Sequence, residues 1–262
     1  MSKKSSSVTV KYRLILIFWS ASILLLWQVV SMGGMVSELL LPSPASVLST
    51  LKDSFINGDL TTQLLFSLKV IFTGILVSVA AASLLVFAGQ RSLMIQGLVQ
   101  VLSVIAHPLP ALALLPLIIV WFGTGEASIL AIIIHSAIWP VLLNLKSGFS
   151  TIPPIYLDAA KNLELNAFSI AFEIQMMHAL PHLIAGIKIA FARSWRALIG
   201  AEMVFGAVGD TGGIGWYIFK QRTFMNTPGL FAGILVVVVV GILVESVLFR
   251  LIEKNTVEKW GN

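Results

Sequence analysis

Six stretches of this 262-residue sequence are apolar over the length of a bilayer's hydrocarbon layer: 14–32, 64–88, 98–122, 128–145, 182–206 and 229–252. A spanning helix needs about 20 such residues. An unpaired backbone group in lipid costs several kcal/mol, so each run is expected to be a helix; barrel strands would instead show short alternating segments. The expected fold class is therefore all-α, a polytopic membrane protein with about six transmembrane helices. Composition agrees, with 57% hydrophobic and 11% charged residues and a mean hydropathy of +0.95.

The first run follows a basic leader, Met1 to Arg13, that resembles a secretory signal. The run is longer than the ~7–15 apolar residues of a signal core and no A-x-A site follows it, so an uncleaved first span is expected. Orientation follows from Lys and Arg in the connections. With the amino end inside, the inner segments hold Lys3, Lys4, Lys11, Arg13, Arg91, Lys146, Lys161, Arg250, Lys254 and Lys259, against Lys52, Lys220 and Arg222 outside. This predicts cytoplasmic termini, with a basic tail at 1–13, a transmembrane domain at 14–252 and a second tail at 253–262. The net charge of +5 is spread between apolar runs, which suits an anionic membrane surface and not nucleic acid. No cysteine is present, so a disulfide, a thiolate metal site and a cysteine nucleophile are all excluded.

Between the first two spans, Ser43 can cap a helix that starts at Pro44, with Val47, Leu48, Leu51 and Phe55 on one face, as in an interfacial helix. Pro108, Pro110 and Pro116 interrupt the third run, each removing a helix hydrogen bond. A broken helix there could wall a pathway. The fifth run is the most polar, holding Lys188, Arg193, Trp195, Arg196 and Glu202. Lys188 lies near the inner end and can snorkel. Arg193 and Arg196 share a face, and burying each costs ~2.5–3.5 kcal/mol on insertion scales. The glycine cluster Gly206 to Gly215 lacks the G-K-[ST] ending of a phosphate loop and reads as an outer turn that bends back into the membrane.

Catalytic motifs are lacking: there is no H-E-x-x-H, G-x-S-x-G or Walker A pattern. His178 and His182 have metal-ligand spacing, but Pro181 between them and the want of nearby carboxylates argue against a metal site. His107 and His135 flank the proline-rich break and its neighbour, and read as packing histidines or members of a pathway.

The longest polar interruption is Pro153 to Pro181. Pro154 can open a short helix over Tyr156 to Leu163, with Ala159 and Ala160 exposed between Asp158 and Lys161 and Asp158 near the helix start. After it, Asn166, Ser169 and Glu173 form a polar stripe among Leu165, Phe168, Phe172 and Met176. Asp158-Ala159-Ala160 followed by Leu180-Pro181 resembles the E-A-A loop of permease subunits from binding-protein-dependent ABC importers. Leu41 to Leu48, His107 to Ala127 and Ala201 to Gly206 resemble the branch that carries nitrate, taurine, aliphatic sulfonates and thiamine-precursor pyrimidines. The resemblance runs from about residue 14 to the end. Three positions depart from it: Asp158 replaces glutamate, Glu164 replaces a turn glycine, and Ile174 to Met177 replaces I-x-L-P. Glu164 suggests a less demanding backbone at that turn.

The resemblance implies a type I importer (MetI-like) permease fold in the bacterial inner membrane. It implies two permease copies, two cytoplasmic ATPase subunits that bind ATP and Mg, and an external solute-binding protein. This chain would then hold no cofactor of its own. Asp158, Ala159, Ala160, Lys161 and Glu164 would couple to the ATPase. Arg193, Trp195, Arg196, His107 and His135 are expected on the path of a small anion or a pyrimidine, with Glu202 as the arginines' ion partner. A stand-alone ion-coupled carrier or a membrane enzyme is the other reading of the residues.

Overall fold

The computed structural model describes residues 2–34, 36–207 and 212–256. Among them the backbone forms helices and no strand: α1 Ser2–Met32, α2 Pro44–Ile56, α3 Leu60–Arg91, α4 Leu93–Ala106, α5 Ala111–Phe122, α6 Glu126–Ser150, α7 Pro154–Asn162, α8 Ala167–Phe205, α9 Ile214–Thr223 and α10 Thr227–Asn255. Helices α1, α3, α6, α8 and α10 are each long and apolar enough to cross a membrane. Helix α1 begins at Ser2 and so takes in most of the basic leader, with the candidate span itself at Leu14–Met32; residues 257–262 of the second tail lie outside the described residues.

The third apolar run is not one straight span. Its halves α4 and α5 meet at 92°. Pro108 and Pro110 cause the break, because neither can donate to the preceding turn; His107 still holds helical dihedrals, and by Pro110 the backbone is extended, with ψ of 126°. Pro116 does not contribute: it sits in the first turn of the α-helical part of α5, where a missing donor costs nothing.

The chain divides into two compact units. One comprises Met1–Thr61 and Tyr217–Leu235, the other Thr62–Trp216 and Val236–Asn262. In the first, the Ser43 hydroxyl accepts from Ser46 N–H at 3.2 Å and caps α2, with Pro44 at its first position. The expected common face is split, since Val47 is buried at 1% exposure while Leu48 is 58% exposed. Trp27 donates to the Pro42 carbonyl (3.0 Å), Thr227 to the Leu39 carbonyl (2.7 Å), and Ser54 shares a hydrogen bond with the Tyr217 hydroxyl (2.8 Å).

In the second unit, three contacts occur in the same order along α3 and α6. Lys69 meets Glu126 at 3.3 Å, the Ser78 hydroxyl reaches the Ile134 carbonyl at 3.5 Å, and the Phe87 and Phe149 rings lie 5.2 Å apart. The two helices are therefore parallel, and the bent pair α4–α5 must carry the chain back between them. Helix α8 runs antiparallel to α6. The pair is close because glycines face it: a Cβ at Gly148 would lie 2.9 Å from the Cβ atoms of Ala179 and His182, and one at Gly186 would lie 3.1 Å from Val141 Cα. Small residues at a helix contact are how lipid-embedded helices gain packing without a hydrophobic driving force. Helix α10 lies antiparallel to α8 through Lys188–Glu253 (3.4 Å), Phe191–Phe249 (6.2 Å) and the Trp195 indole on the Val237 carbonyl (3.2 Å). Lys188 is thus met by a carboxylate, with both side chains about a third exposed.

Candidate functional site: a cationic cavity and a cytoplasmic joint

The break between α4 and α5 strands backbone carbonyls inside the apolar layer, and two side chains reach them. Arg193 of α8 donates from Nη2 to the His107 carbonyl at 3.3 Å, while its Nη1 meets His107 Nδ1 at 3.3 Å. His135 of α6 places Nε2 3.3 Å from the Leu109 carbonyl, a contact in which the imidazole N–H donates. Around this junction lies a cavity of about 360 Å³ lined by Leu109, Leu112, His135, Ser136, Arg193 and Arg196, with small residues between. Arg196 is exposed and anchors its Nε on the Ala192 carbonyl at 2.9 Å. Neither arginine takes part in an ion pair among the described residues.

Helix α5 forms the cavity's other wall. Leu115 and Ile118 are buried against Ile132 of α6 and Ala197 and Ala201 of α8. Gly200 lets α5 approach, since a Cβ there would stand 2.7 Å from Leu112 Cδ1. His135 is nine residues into α6, about 14 Å by the helical rise, so the cavity lies within the bundle's thickness and not at its rim.

Two residues expected with the arginines lie elsewhere. Trp195 points to the opposite side of α8: its exposure is 5%, it stacks on Phe191 at 6.0 Å, and it donates to α10. One residue's step on a helix turns a side chain by about 100°, which suffices to separate it from its neighbours. Glu202 is not the arginines' ion partner. It is fully buried at 0% exposure, and its oxygens accept from the Ser67 hydroxyl of α3 (2.7 Å) and from Gly215 N–H at the start of α9 (2.8 Å). Ser67 in turn accepts from Ile214 N–H at 2.9 Å. A carboxylate at a helix amino end is held by free N–H groups and by the helix dipole.

This explains part of the glycine cluster. A Cβ at Gly213 would overlap the Glu202 carboxylate, one at Gly212 would overlap the Trp216 ring, and one at Gly215 would run into Ile199 and Glu202. Gly213 and Gly215 pack directly against a buried carboxylate. Residues 208–211 of the cluster lie outside the described residues. Ser67 was not legible as a partner, since a single serine in an apolar helix carries no pairing signal.

The second candidate region is α7 and the start of α8. Pro154 opens α7 as expected. Asp158 is the fifth residue of the helix and not in its first turn, so it gains little from the dipole; it pairs instead with Lys161 at 3.7 Å, both side chains about 70% exposed. Such exposed pairs contribute at most about 1 kcal/mol. Ala159 is exposed but Ala160 is buried at 2%, so only one of the two alanines is free for a partner. Asn166 is a cap and not part of a stripe: its side chain accepts from Phe168 N–H (3.0 Å) and Ser169 N–H (2.8 Å) and starts α8.

Glu164 shows a demanding backbone, contrary to the expectation. Its φ is +55°. Leu165 N–H donates to the Ala160 carbonyl (3.1 Å) and Glu164 N–H to the Lys161 carbonyl (2.9 Å). These two bonds form a Schellman cap, in which the residue in Glu164's place must be left-handed and is usually glycine. The turn geometry survives, and a side chain occupies it at a cost of about 1–2 kcal/mol. Just beyond, Ile170–Met176 forms a π-helical turn, and the departure at Ile174 to Met177 falls on it.

Comparison with known proteins gives a consistent picture. Residues 74–257 match the family described as binding-protein-dependent transport system inner membrane component. The putative aliphatic sulfonates transport permease protein SsuC of Bacillus subtilis is 31% identical over 247 residues, covering 92% of this chain and 86% of that one. The taurine transport system permease protein TauC of Escherichia coli is 27% identical, covering 86% and 82%. The nitrate import permease protein NrtB of Leptolyngbya laminosa is 30% identical, covering 75% and 71%.

The cap at Glu164 can be tested directly. Glu164→Gly should slow hydrogen exchange at the Leu165 amide, and Glu164→Val should speed it several-fold, since a β-branched residue tolerates positive φ worst. The reverse order would show that the turn does not require the left-handed geometry.

Proposed function

The chain belongs to the family of binding-protein-dependent transport system inner membrane components, and on that premise we propose that it moves a small anion, a sulfonate or nitrate, past Arg193 and Arg196. Family members are multi-pass permease subunits of ABC importers and not enzymes, and the family implies ATPase and binding-protein partners. The observation that carries the anion reading is the cavity, lined by His135 and by two arginines without carboxylate partners among the described residues, one of which also meets His107. The relatives' names point the same way, since sulfonates, taurine and nitrate all present anionic oxygens. A guanidinium has five donors in a planar fork suited to such groups. Two of Arg193's donors are used on His107, and the rest are free to meet a solute.

In this reading two copies of the chain form the membrane channel, and two cytoplasmic ATPase subunits bind ATP and Mg. An external binding protein delivers the solute. Both termini and α7 face the cytoplasm, supported by the ten basic residues on that side against three and by the return crossing of α4–α5. Closure of the ATPase dimer pushes on α7, and α8, which follows it directly, transmits the movement to the cavity wall at Arg193. This chain makes and breaks no covalent bond.

Two experiments separate the halves of the proposal. Replacing Arg193 and Arg196 together by Gln should lower uptake at least tenfold while the ATPase subunit still co-purifies; uptake at the parental rate would overturn the anion path. Ala159→Trp places bulk on the exposed face of α7 and should release the ATPase subunit during purification in detergent. Co-purification at normal yield would show that α7 is not the joint.

A further inference from the structure

We propose that the inner end of α3 and α4 holds an anionic phospholipid, with its phosphate on Arg91 and Lys146 and an acyl chain beside Phe168 and Phe172. A cavity of about 400 Å³ opens where α3 turns into α4, lined by Gln90, Arg91, Ser92, Lys146 and apolar side chains of α3, α4 and α6. Neither cation joins an ion pair among the described residues. Lys146 spends one donor on the neutral Gln100 amide at 2.7 Å. Ser92 accepts from Ile95 N–H at 3.4 Å to cap α4, which leaves its O–H hydrogen free to donate. Two cations and a hydroxyl thus converge on one space without a counter-charge among the described residues.

A second cavity, of about 810 Å³, shares Gln90, Arg91 and Ser92 with the first. Its walls are apolar, chiefly Leu84, Phe87, Ile95, Phe168 and Phe172. Phe87 stacks on Phe172 at 5.9 Å and Phe168 packs tilted against Phe172 at 4.5 Å, yet Phe168 is 69% and Leu84 71% exposed. A polar, doubly cationic recess joined to an apolar trough is the imprint of an amphiphile with an anionic head. Basic pockets between helices on the cytoplasmic side suit anionic lipid headgroups, and with the orientation proposed above that leaflet is the one within reach. A soluble phosphate would use the recess and leave the trough empty, so the lipid accounts for both cavities.

The placement gives the lipid a role. Phe168 and Phe172 lie in the first turns of α8, directly after α7. A lipid seated against them braces the root of the joint, so anionic lipid should raise the efficiency with which ATPase movement reaches the bundle.

The test uses the full-length permease in nanodiscs, with bound phosphatidylglycerol and phosphatidylcholine counted by native mass spectrometry. The parent should retain phosphatidylglycerol selectively. Losing two basic contacts in Arg91→Gln/Lys146→Gln should weaken that retention roughly thirty-fold, while Arg91→Lys/Lys146→Arg retains it. Unchanged retention in the Gln pair, or equal loss in the charge-conserving pair, overturns the site. Glycerol 3-phosphate should fail to displace the lipid at concentrations where phosphatidylglycerol vesicles succeed; equal displacement would make this a free-phosphate site and overturn the lipid. Co-purification of the ATPase with the Gln pair is scored separately, so a failure of the lipid site is distinguishable from a failure of the permease reading.

Discussion

A chain in lipid cannot leave a backbone carbonyl unpaired, and the break at His107 to Pro110 creates exactly such groups inside the bundle. The side chains that resolve it are Arg193 and His135, reaching the carbonyls of His107 and Leu109. The cationic cavity is therefore a consequence of the broken helix as well as a candidate path. The same guanidinium that seals the break keeps donors free, so the residue that makes the fold tolerable also makes the cavity attractive to an anion. Intramembrane arginine is costly in hydrocarbon and far less so beside a polar cavity, which gives both features a common cause.

The same constraint governs the far end of α8. There the chain leaves the helix at Gly206, with φ of +76°, and returns as α9, whose first N–H groups need acceptors. Glu202 supplies them, with Ser67 as the intermediary. The glycines at 212, 213 and 215 are required because the carboxylate and the Trp216 ring fill the space their Cβ atoms would take. A third interruption, after α7, is closed on the α7 side by two backbone bonds and on the α8 side by the Asn166 cap, and Glu164 takes the left-handed position where glycine would be easier. Each of these three breaks is thus matched to its own means of satisfying the backbone.

The apolar runs made the helical fold legible from sequence, because span length and backbone satisfaction leave few alternatives. Ser43-Pro44 and Pro154 marked helix starts correctly, since capping chemistry is local. Pro108 and Pro110 signalled a break, but proline content could not give a 92° turn or tell that Pro116 is harmless. Clustering Arg193, Arg196, His107 and His135 was within reach, since two lie on one helix face and two flank a visible break. Trp195 and Glu202 were misplaced for one reason: adjacency in sequence is not adjacency on a helix, and their partners on α10, α3 and α9 are distant in the chain. At Glu164 the absence of glycine was misleading about geometry, because the two Schellman bonds hold the left-handed turn with a side chain in place, at the cost of strain.

The absence of cysteine makes the central claim, that the cavity at the break is an anion-selective part of the path, open to a direct measurement. A single cysteine at Leu112, which lines the cavity and is 42% exposed, can be reacted with a sulfonate-bearing and a trimethylammonium-bearing methanethiosulfonate. Each rate is normalised to that reagent's rate with a small free thiol. The account predicts that the anionic reagent is favoured, and that Arg193→Gln/Arg196→Gln abolishes the preference. A cationic reagent that reacts as fast or faster in the parent would contradict it.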